Sequence, residues 1–216
     1  PDYVFIHKSI FSAFAKQFEI EAQKLYSKQS EASSDYGRII NQKHFSRLKA
    51  LISDLETGEV KFGGLANDSE LYFEPTLVAP NSSSSKIKKE EIFGPILAVY
   101  SFEDLNEVVD YLNKNERPLA LYIFSKSKKN IDKLISETTS GGTCINHCLL
   151  HYMNSELPFG GVNNSGIGKS HGKYGFEAFS NKRAVLHQFT FSAVDLIKPP
   201  YTNFMAKLAR LTVKWF

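Results

Sequence analysis

Glu90-Glu91-Ile92-Phe93-Gly94-Pro95 runs straight into Ile96-Leu97-Ala98-Val99-Tyr100, and this junction decides how the rest of the chain is read. The second half is an uninterrupted apolar run of strand length. The first half sets two carboxylates, one ring and a Gly-Pro stop into six residues. On an extended backbone successive side chains point to opposite faces, so Glu90 and Glu91 cannot both look inward, whereas Glu91 and Phe93 share a face. A carboxylate beside a ring suits a planar ligand carrying hydroxyls: the ring packs its flat part and the carboxylate accepts from two neighbouring O–H groups. The alternative is a solvated charge pair leading into a buried strand, and these six residues alone do not choose between the two.

Working outward, the pattern is strand, helix, strand, helix, strand at short spacing. Phe102 to Asn115 reads as a helix with Leu105, Val108, Val109 and Leu112 inward. Leu119 to Phe124 is an apolar strand, Lys129 to Glu137 a helix with Ile131, Leu134 and Ile135 on one side, and Gly141 to Asn146 another strand. This is the signature of a parallel α/β sheet, whose central strands are apolar on both faces. Towards the start, Tyr3 to Ile6 is a strand, and from Ser9, a candidate N-cap, Ile10, Phe11, Phe14, Phe18, Ala22 and Leu25 share a helical face. Ser30 to Ser34 is loop-like. Gly37 to Asn41 leads into a second helix carrying Phe45, Leu48, Leu51, Ile52 and Leu55, which Gly58 is expected to end. Val60 to Phe62 is a short strand, Gly63-Gly64 a turn, Leu71 to Val78 a strand interrupted or put at an edge by Pro75, and Asn81 to Ser85 a polar loop tip. Leu157 to Lys173, rich in Gly, Asn and Ser, is a long loop of the kind that is usually functional, followed by a helical turn at Tyr174 to Ser180 and an edge strand at Ala184 to His187.

The totals exclude several classes. A length of 216 residues suits one sizeable domain or part of a larger one. A net charge of +3 is too small for a nucleic-acid surface, which needs a concentrated basic face. Two cysteines, Cys144 and Cys148, make no disulfide framework and fit a reducing, intracellular compartment. No secretory signal is visible, and no apolar run reaches the roughly 20 residues of a membrane span. Pro1 in place of an initiator Met, and an end at Val213-Lys214-Trp215-Phe216 without a polar tail, lead to the expectation of a piece of a longer chain.

Three constellations carry residue types suited to chemistry. Gly166-Ile167-Gly168-Lys169-Ser170 resembles the end of a phosphate-binding loop, but that pattern needs glycine at 163, where Asn163 stands. Cys144, His147, Cys148 and His151 are all metal-competent types. On one straight helix the outer two would lie roughly 10 Å apart along the axis, too far to close a tetrahedron. No metal site is therefore expected, and a Cys–His nucleophile pair has no placed helix N-terminus to acidify it. Finally, Tyr201, Phe204, Met205, Leu208, Leu211 and Trp215 recur at helical spacing with Lys207, Arg210 and Lys214 opposite, a basic amphipathic helix that suits a membrane interface or a packed partner.

Taken together, Glu90 to Pro95, Pro1-Asp2-Tyr3-Val4, Gly37 to Asn41, Tyr72 to Thr76, Pro118 to Phe124, Ser140 to Gly142, Pro158 to Val162 and Ser165 to Gly168 resemble the aldehyde dehydrogenases, in particular the class 3, fatty-aldehyde branch. The resemblance runs from Pro1 to about Gln188 and implies the C-terminal part of the catalytic α/β domain over 1–180, an oligomerisation strand over 181–191 and an amphipathic tail over 192–216, introduced by Lys198-Pro199-Pro200. It implies oxidation of a long-chain aldehyde to a carboxylate with NAD, or NADP, through a Cys thioester that a Glu-activated water hydrolyses. Glu91 would then bond the nicotinamide ribose and Phe93 would pack beside the nicotinamide. The family's nucleophile, base, oxyanion Asn and nucleotide domain all match positions upstream of Pro1. Cys144 and Cys148 do not match the nucleophile, so no catalytic residue is expected here and the chain alone should be inactive. The same resemblance implies a homodimer, an aldehyde substrate, a membrane surface met by the tail, and His171 at the substrate entrance. The competing readings are a silent assembly module that docks through its edge strand and a peripheral membrane-binding protein.

Overall fold

The computed structural model describes residues 1–82, 85–190 and 199–213. Its centre is a four-stranded sheet in the order β1-β6-β5-β2, formed by Tyr3–His7 (β1), Val60–Phe62 (β2), Thr76–Val78 (β5) and Ile96–Phe102 (β6). β6 pairs in parallel with β1 (Tyr3 opposite Ala98) and with β5 (Thr76 opposite Ile96), while β2 joins the edge antiparallel. The mixed edge departs from a purely parallel sheet. Two further pairs are the antiparallel Ala66–Asn67 (β3) with Tyr72–Phe73 (β4) and the parallel Ala120–Ile123 (β7) with Gly142–Ile145 (β8).

The alternation along β1 and β6 assigns the two faces. Ile6, Leu77 and Val99 meet helix α1 (Phe11–Tyr26) through half-buried Phe11, Phe14 and Phe18. On the other face, Val78, Ile96 and Ala98 meet α2 (Gln42–Ser53) through buried Phe45, Leu48 and Leu51. Helix α3 (Leu105–Lys114) and helix α4 (Lys128–Glu137) pack with Phe5, Phe102 and Ile123 around Val108, Val109 and Leu112. A row of apolar side chains removed from water stabilises each layer by about 1.5–3 kcal/mol per large residue.

Local signals act at several element ends and fail at others. Asn41 caps α2 by accepting from His44 N, and Asp104 caps α3 in a reciprocal box with Glu107. Ser9 does not cap α1. His7 accepts from Ser9 N instead and starts a 3₁₀ turn, Lys8–Ile10, that delays the helix to Phe11. Gly58 does not end α2, which stops at Ser53; it supplies a positive φ in the turn before β2. Ile10, Leu25 and Ile135, expected inward, are exposed, as are Leu119 and Phe124 at the ends of the apolar run around β7. Pro75 interrupts its strand, and the chain changes sheets there, from β4 to the interior strand β5. Gly63, at φ +75°, is required at that crossing because a Cβ would lie 2.3 Å from Pro75 O.

After β8 come short helices α5 (Leu150–Met153) and α6 (Gly172–Ala178), with a Gly-rich loop between them that is closed by a two-way backbone bridge between Phe159 and Ser170. The strand expected over Ala184–His187 does not form. A strand needs a backbone partner, and none reaches it among the described residues. Helix α7, Asn203–Val213, stands in the tail, where the residues expected to precede and end it, Lys198, Lys214, Trp215 and Phe216, lie outside the described residues, as do Ser83 and Ser84 of the polar loop tip and Phe191 of the expected oligomerisation strand.

Candidate functional site

The hexapeptide before β6 is not a strand but a loop fastened at its middle. Ile92 is 1% exposed and packs in the core with Leu48. Its N–H donates to Asp2 Oδ1 (2.8 Å), and its carbonyl accepts from Arg47 Nη2 (2.6 Å), while Arg47 Nη1 donates to Glu91 O (3.3 Å). Below, Pro95 O accepts from Thr76 N (2.8 Å), which joins the loop to β5. Gly94 lies so close to α2 that a Cβ would come within 2.5 Å of Leu48 Cδ2. Above, Asp54 accepts from Lys86 N (2.8 Å) and Ser85 Oγ (3.1 Å), and these bonds hold its carboxyl below the usual range, led by the Lys86 N–H. Glu59, buried beneath, accepts from Asn81 N (2.5 Å) and Glu56 N (2.8 Å), which lower its pKa in that order of weight.

On this anchored backbone Glu91 and Phe93 both face away from the core, on either side of buried Ile92. The reason differs from the pleat expected. Phe93 sits at φ +45°, so the strand alternation does not govern its direction. A bulky residue in the left-handed region costs on the order of 1–3 kcal/mol, and such strain persists where surrounding contacts over-determine it, frequently at ligand clamps. Phe93 is 83% exposed: an apolar ring held in a strained conformation against water. A carboxylate on an anchored backbone and an open ring are thus exposed on either side of buried Ile92.

The other candidates fall into different surroundings. Cys144 lies half-buried in β8, and Cys148 lies in the turn after it, so Cys144, His147, Cys148 and His151 do not share one helix. Among the described residues no three His, Cys, Asp or Glu side chains gather as a metal site, and no hydrogen bond joins either sulfur to a base. His147 Nδ1 bonds the Cys148 carbonyl. Lys169 donates to three carbonyls, Gly141 O (2.9 Å), Gly160 O (2.5 Å) and Gly161 O (3.2 Å), so its ammonium is directed into the backbone and not towards a phosphate. That contact seats the Gly-rich loop against the start of β8.

His171 joins an aromatic wall that spacing did not reveal. Its ring stacks on Phe159 at 5.6 Å and 20°, and it lies 5.5 Å from Tyr152. Buried His151 sits on the other side, between Tyr122 (5.7 Å) and Phe159 (5.9 Å). In the sequence His151 stood out only through its metal-type spacing. Its role in packing depends on residues from β7, α5 and the Gly-rich loop that are distant along the chain.

The profile of the aldehyde dehydrogenase family matches residues 1–185. The chain is 37% identical over 201 residues to the 4,4'-diaponeurosporen-aldehyde dehydrogenase of Staphylococcus aureus, covering 93% of this chain and 44% of that protein. It is 40% identical over 186 residues to aldehyde dehydrogenase family 3 member A2 of Mus musculus, covering 86% of this chain and 38% of that one. Among solved structures, the substrate-bound state of Staphylococcus aureus AldH superposes with a TM-score of 0.85 at 34% identity, over 98% of this chain and 46% of that chain. The chain thus spans less than half the length of these relatives. The match of a family profile across most of its length, over an α/β sheet of the same fold, shows that this chain belongs to the aldehyde dehydrogenase family.

Proposed function

We propose that this chain forms the nicotinamide-facing, sheet-bearing part of a class 3, fatty-aldehyde-type dehydrogenase, working with NAD or NADP. The observation that carries this reading is the pair Glu91 and Phe93, exposed on a backbone pinned by Arg47, Asp2 and buried Ile92. When bound, the dinucleotide supplies the hydride acceptor. The chain's own residues orient it: the Glu91 carboxylate accepts from the two ribose hydroxyls, and the Phe93 ring covers one flat side and excludes water from it. Relatives named as NADP-preferring and a related structure in complex with NAD+ support either dinucleotide. The thiol that attacks the aldehyde and the base that activates water correspond to family positions outside these 216 residues, and Cys144 and Cys148 take neither role.

Two measurements test this. Purified chain given a long-chain aldehyde and NAD should produce no NADH above buffer; turnover would overturn the division of labour. In an enzyme that carries these residues together with the family's nucleophile, Glu91→Ala and Phe93→Ala should each lower kcat/KM by roughly 10–100-fold, about 1.4–2.7 kcal/mol of transition-state stabilisation, without changing the unfolding midpoint. Wild-type kinetics in both variants would remove the assignment.

A second element of the proposal concerns association. The 184–187 segment exposes Val185 and Leu186 and would pair as a strand with a second copy, giving a homodimer. Helix α7 exposes Phe204 and Leu211 beside Lys207 and Arg210, with no acidic residue in its first turn, which suits an anionic membrane interface. No helix among the described residues is long and apolar enough to cross a membrane. Liposome flotation with and without residues 199–216 checks this; equal flotation of both forms would remove the membrane.

A further inference from the structure

In open α/β sheets, ligands bind outside the carboxyl ends of the strands, where neighbouring strands send their connections to opposite faces. In this molecule that place lies between β1 and β6. Helix α1 follows β1 onto one face of the sheet, and α3 follows β6 onto the other. Glu91 and Phe93 precede β6 and so belong to the opposite, amino edge. β5 leaves the sheet after Val78, which pairs with Ala98, while β6 runs on beside β1 to Phe102. The departure opens a crevice of about 600 Å³ along Val99 to Ser101.

Its lining has one sign of charge. Lys8, Lys61 and Lys88 come from three separate segments and meet there with Ser12, Ser101 and Asn81, over the rings of Tyr100 and Tyr111. Lys8 is paired with Glu103 at 2.5 Å. Lys61 donates to Gly58 O (2.6 Å) and Lys88 to Asn81 O (3.3 Å), and Lys88 Nζ stands 5.2 Å from the centre of the Tyr100 ring. An ammonium has three donors, so a bond to one carbonyl leaves both lysines able to bind more. Glu59, whose carboxylate interacts with Lys88, is itself committed to the N–H groups of Asn81 and Glu56. A cleft lined by one sign of charge concentrates counter-ions.

We propose that this crevice binds a small phosphorylated anion, its oxygens held by Lys61 and Lys88 with the Ser12 and Ser101 hydroxyls donating to them. A doubly charged group with several acceptor oxygens satisfies point-charge ammonium groups and hydroxyl donors together. This does not rest on the aldehyde-oxidising role. The site lies at the other edge of the sheet and would act as an effector or secondary anchoring site.

The test is a titration of the full chain with inorganic pyrophosphate at fixed ionic strength, followed by amide ¹H–¹⁵N spectra. Saturable shifts at Ser12, Lys61 and Ser101 are expected, with affinity falling at least about tenfold in Lys61→Met/Lys88→Met, which corresponds to about 1.4 kcal/mol. Exposed Lys61 gives a second variant, Lys61→Met alone, should the double variant lose its dispersed spectrum. Shifts that sodium chloride of equal ionic strength reproduces, or that persist undiminished in the variants, overturn the proposal. The absence of any saturable shift at millimolar pyrophosphate overturns it too.

Discussion

The sheet that carries Glu91 and the stretch that follows Met153 are built by opposite rules. In the first, Phe45, Leu48, Leu77, Val78 and Ala98 are 0% exposed and the loops are tied down by the buried Glu59 carboxylate, the exposed Asp54 carboxylate and an arginine. In the second, large apolar side chains stand in water: Phe179 is 96% exposed and Leu186 86%, with Phe176, Val185 and Phe189 alongside. The first region completes its contacts within the chain. The second leaves large apolar side chains exposed among the described residues, and contiguous exposed patches of that kind mark interaction sites. The buried core and the exposed apolar side chains therefore lie in different parts of one chain.

The widest gap should appear between two phenylalanines. Phe45→Ala empties a closed part of the core and should cost roughly 3–5 kcal/mol, whereas Phe179→Ala should change chemical denaturation by within about 0.5 kcal/mol. Comparable losses at both sites would break the contrast and show that Phe179 is covered within the chain. A smaller effect is expected at Gly94. Its alanine would press on Leu48, 0% exposed and unable to move freely, so Gly94→Ala should cost on the order of 1–3 kcal/mol and lower the unfolding midpoint. No change there would mean that α2 and the hexapeptide loop are less closely joined than the distances indicate.

The smallest effect is the one with a pH signature. Glu59 has its pKa lowered in the folded state by the N–H groups of Asn81 and Glu56, so its contribution is present above the unfolded carboxylate value and is lost as pH falls through the folded one. Glu59→Gln should therefore cost about 1–2 kcal/mol near neutrality. The difference should shrink as pH drops below the ordinary carboxylate value and through the lowered one of the folded state, because the wild type then also carries an uncharged group. A stability difference that stayed constant with pH would place the effect in packing instead of charge.

The outline of the fold was legible residue by residue. Val108, Val109 and Leu112 announced α3, and Asn41 marked the start of α2, since periodicity and capping are local properties of the chain. Misreadings clustered where distant groups compete for a local one. His7 accepts from the N–H of Ser9 and starts a turn ahead of the expected cap, and Asp2, 90 residues away, holds the N–H of Ile92. At the site, the identities of Glu91 and Phe93 could be singled out from their neighbours, but the backbone expected for them could not, because the φ of Phe93 is set by the anchoring of Ile92 and Gly94 against α2.

What the residue order determined alone is the class of fold, which follows from periodicity and spacing, and the family, which its motifs resemble; it also singles out Glu91 and Phe93 as candidates. The tertiary structure decided which side chains share a surface. It gathered Lys8, Lys61 and Lys88 at one edge of the sheet, seated the Lys169 ammonium in three carbonyls, and left the 184–187 segment without a strand to pair with among the described residues. Those outcomes depend on contacts between segments tens of residues apart, whose formation is governed by packing of whole layers and leaves no periodic mark along the chain.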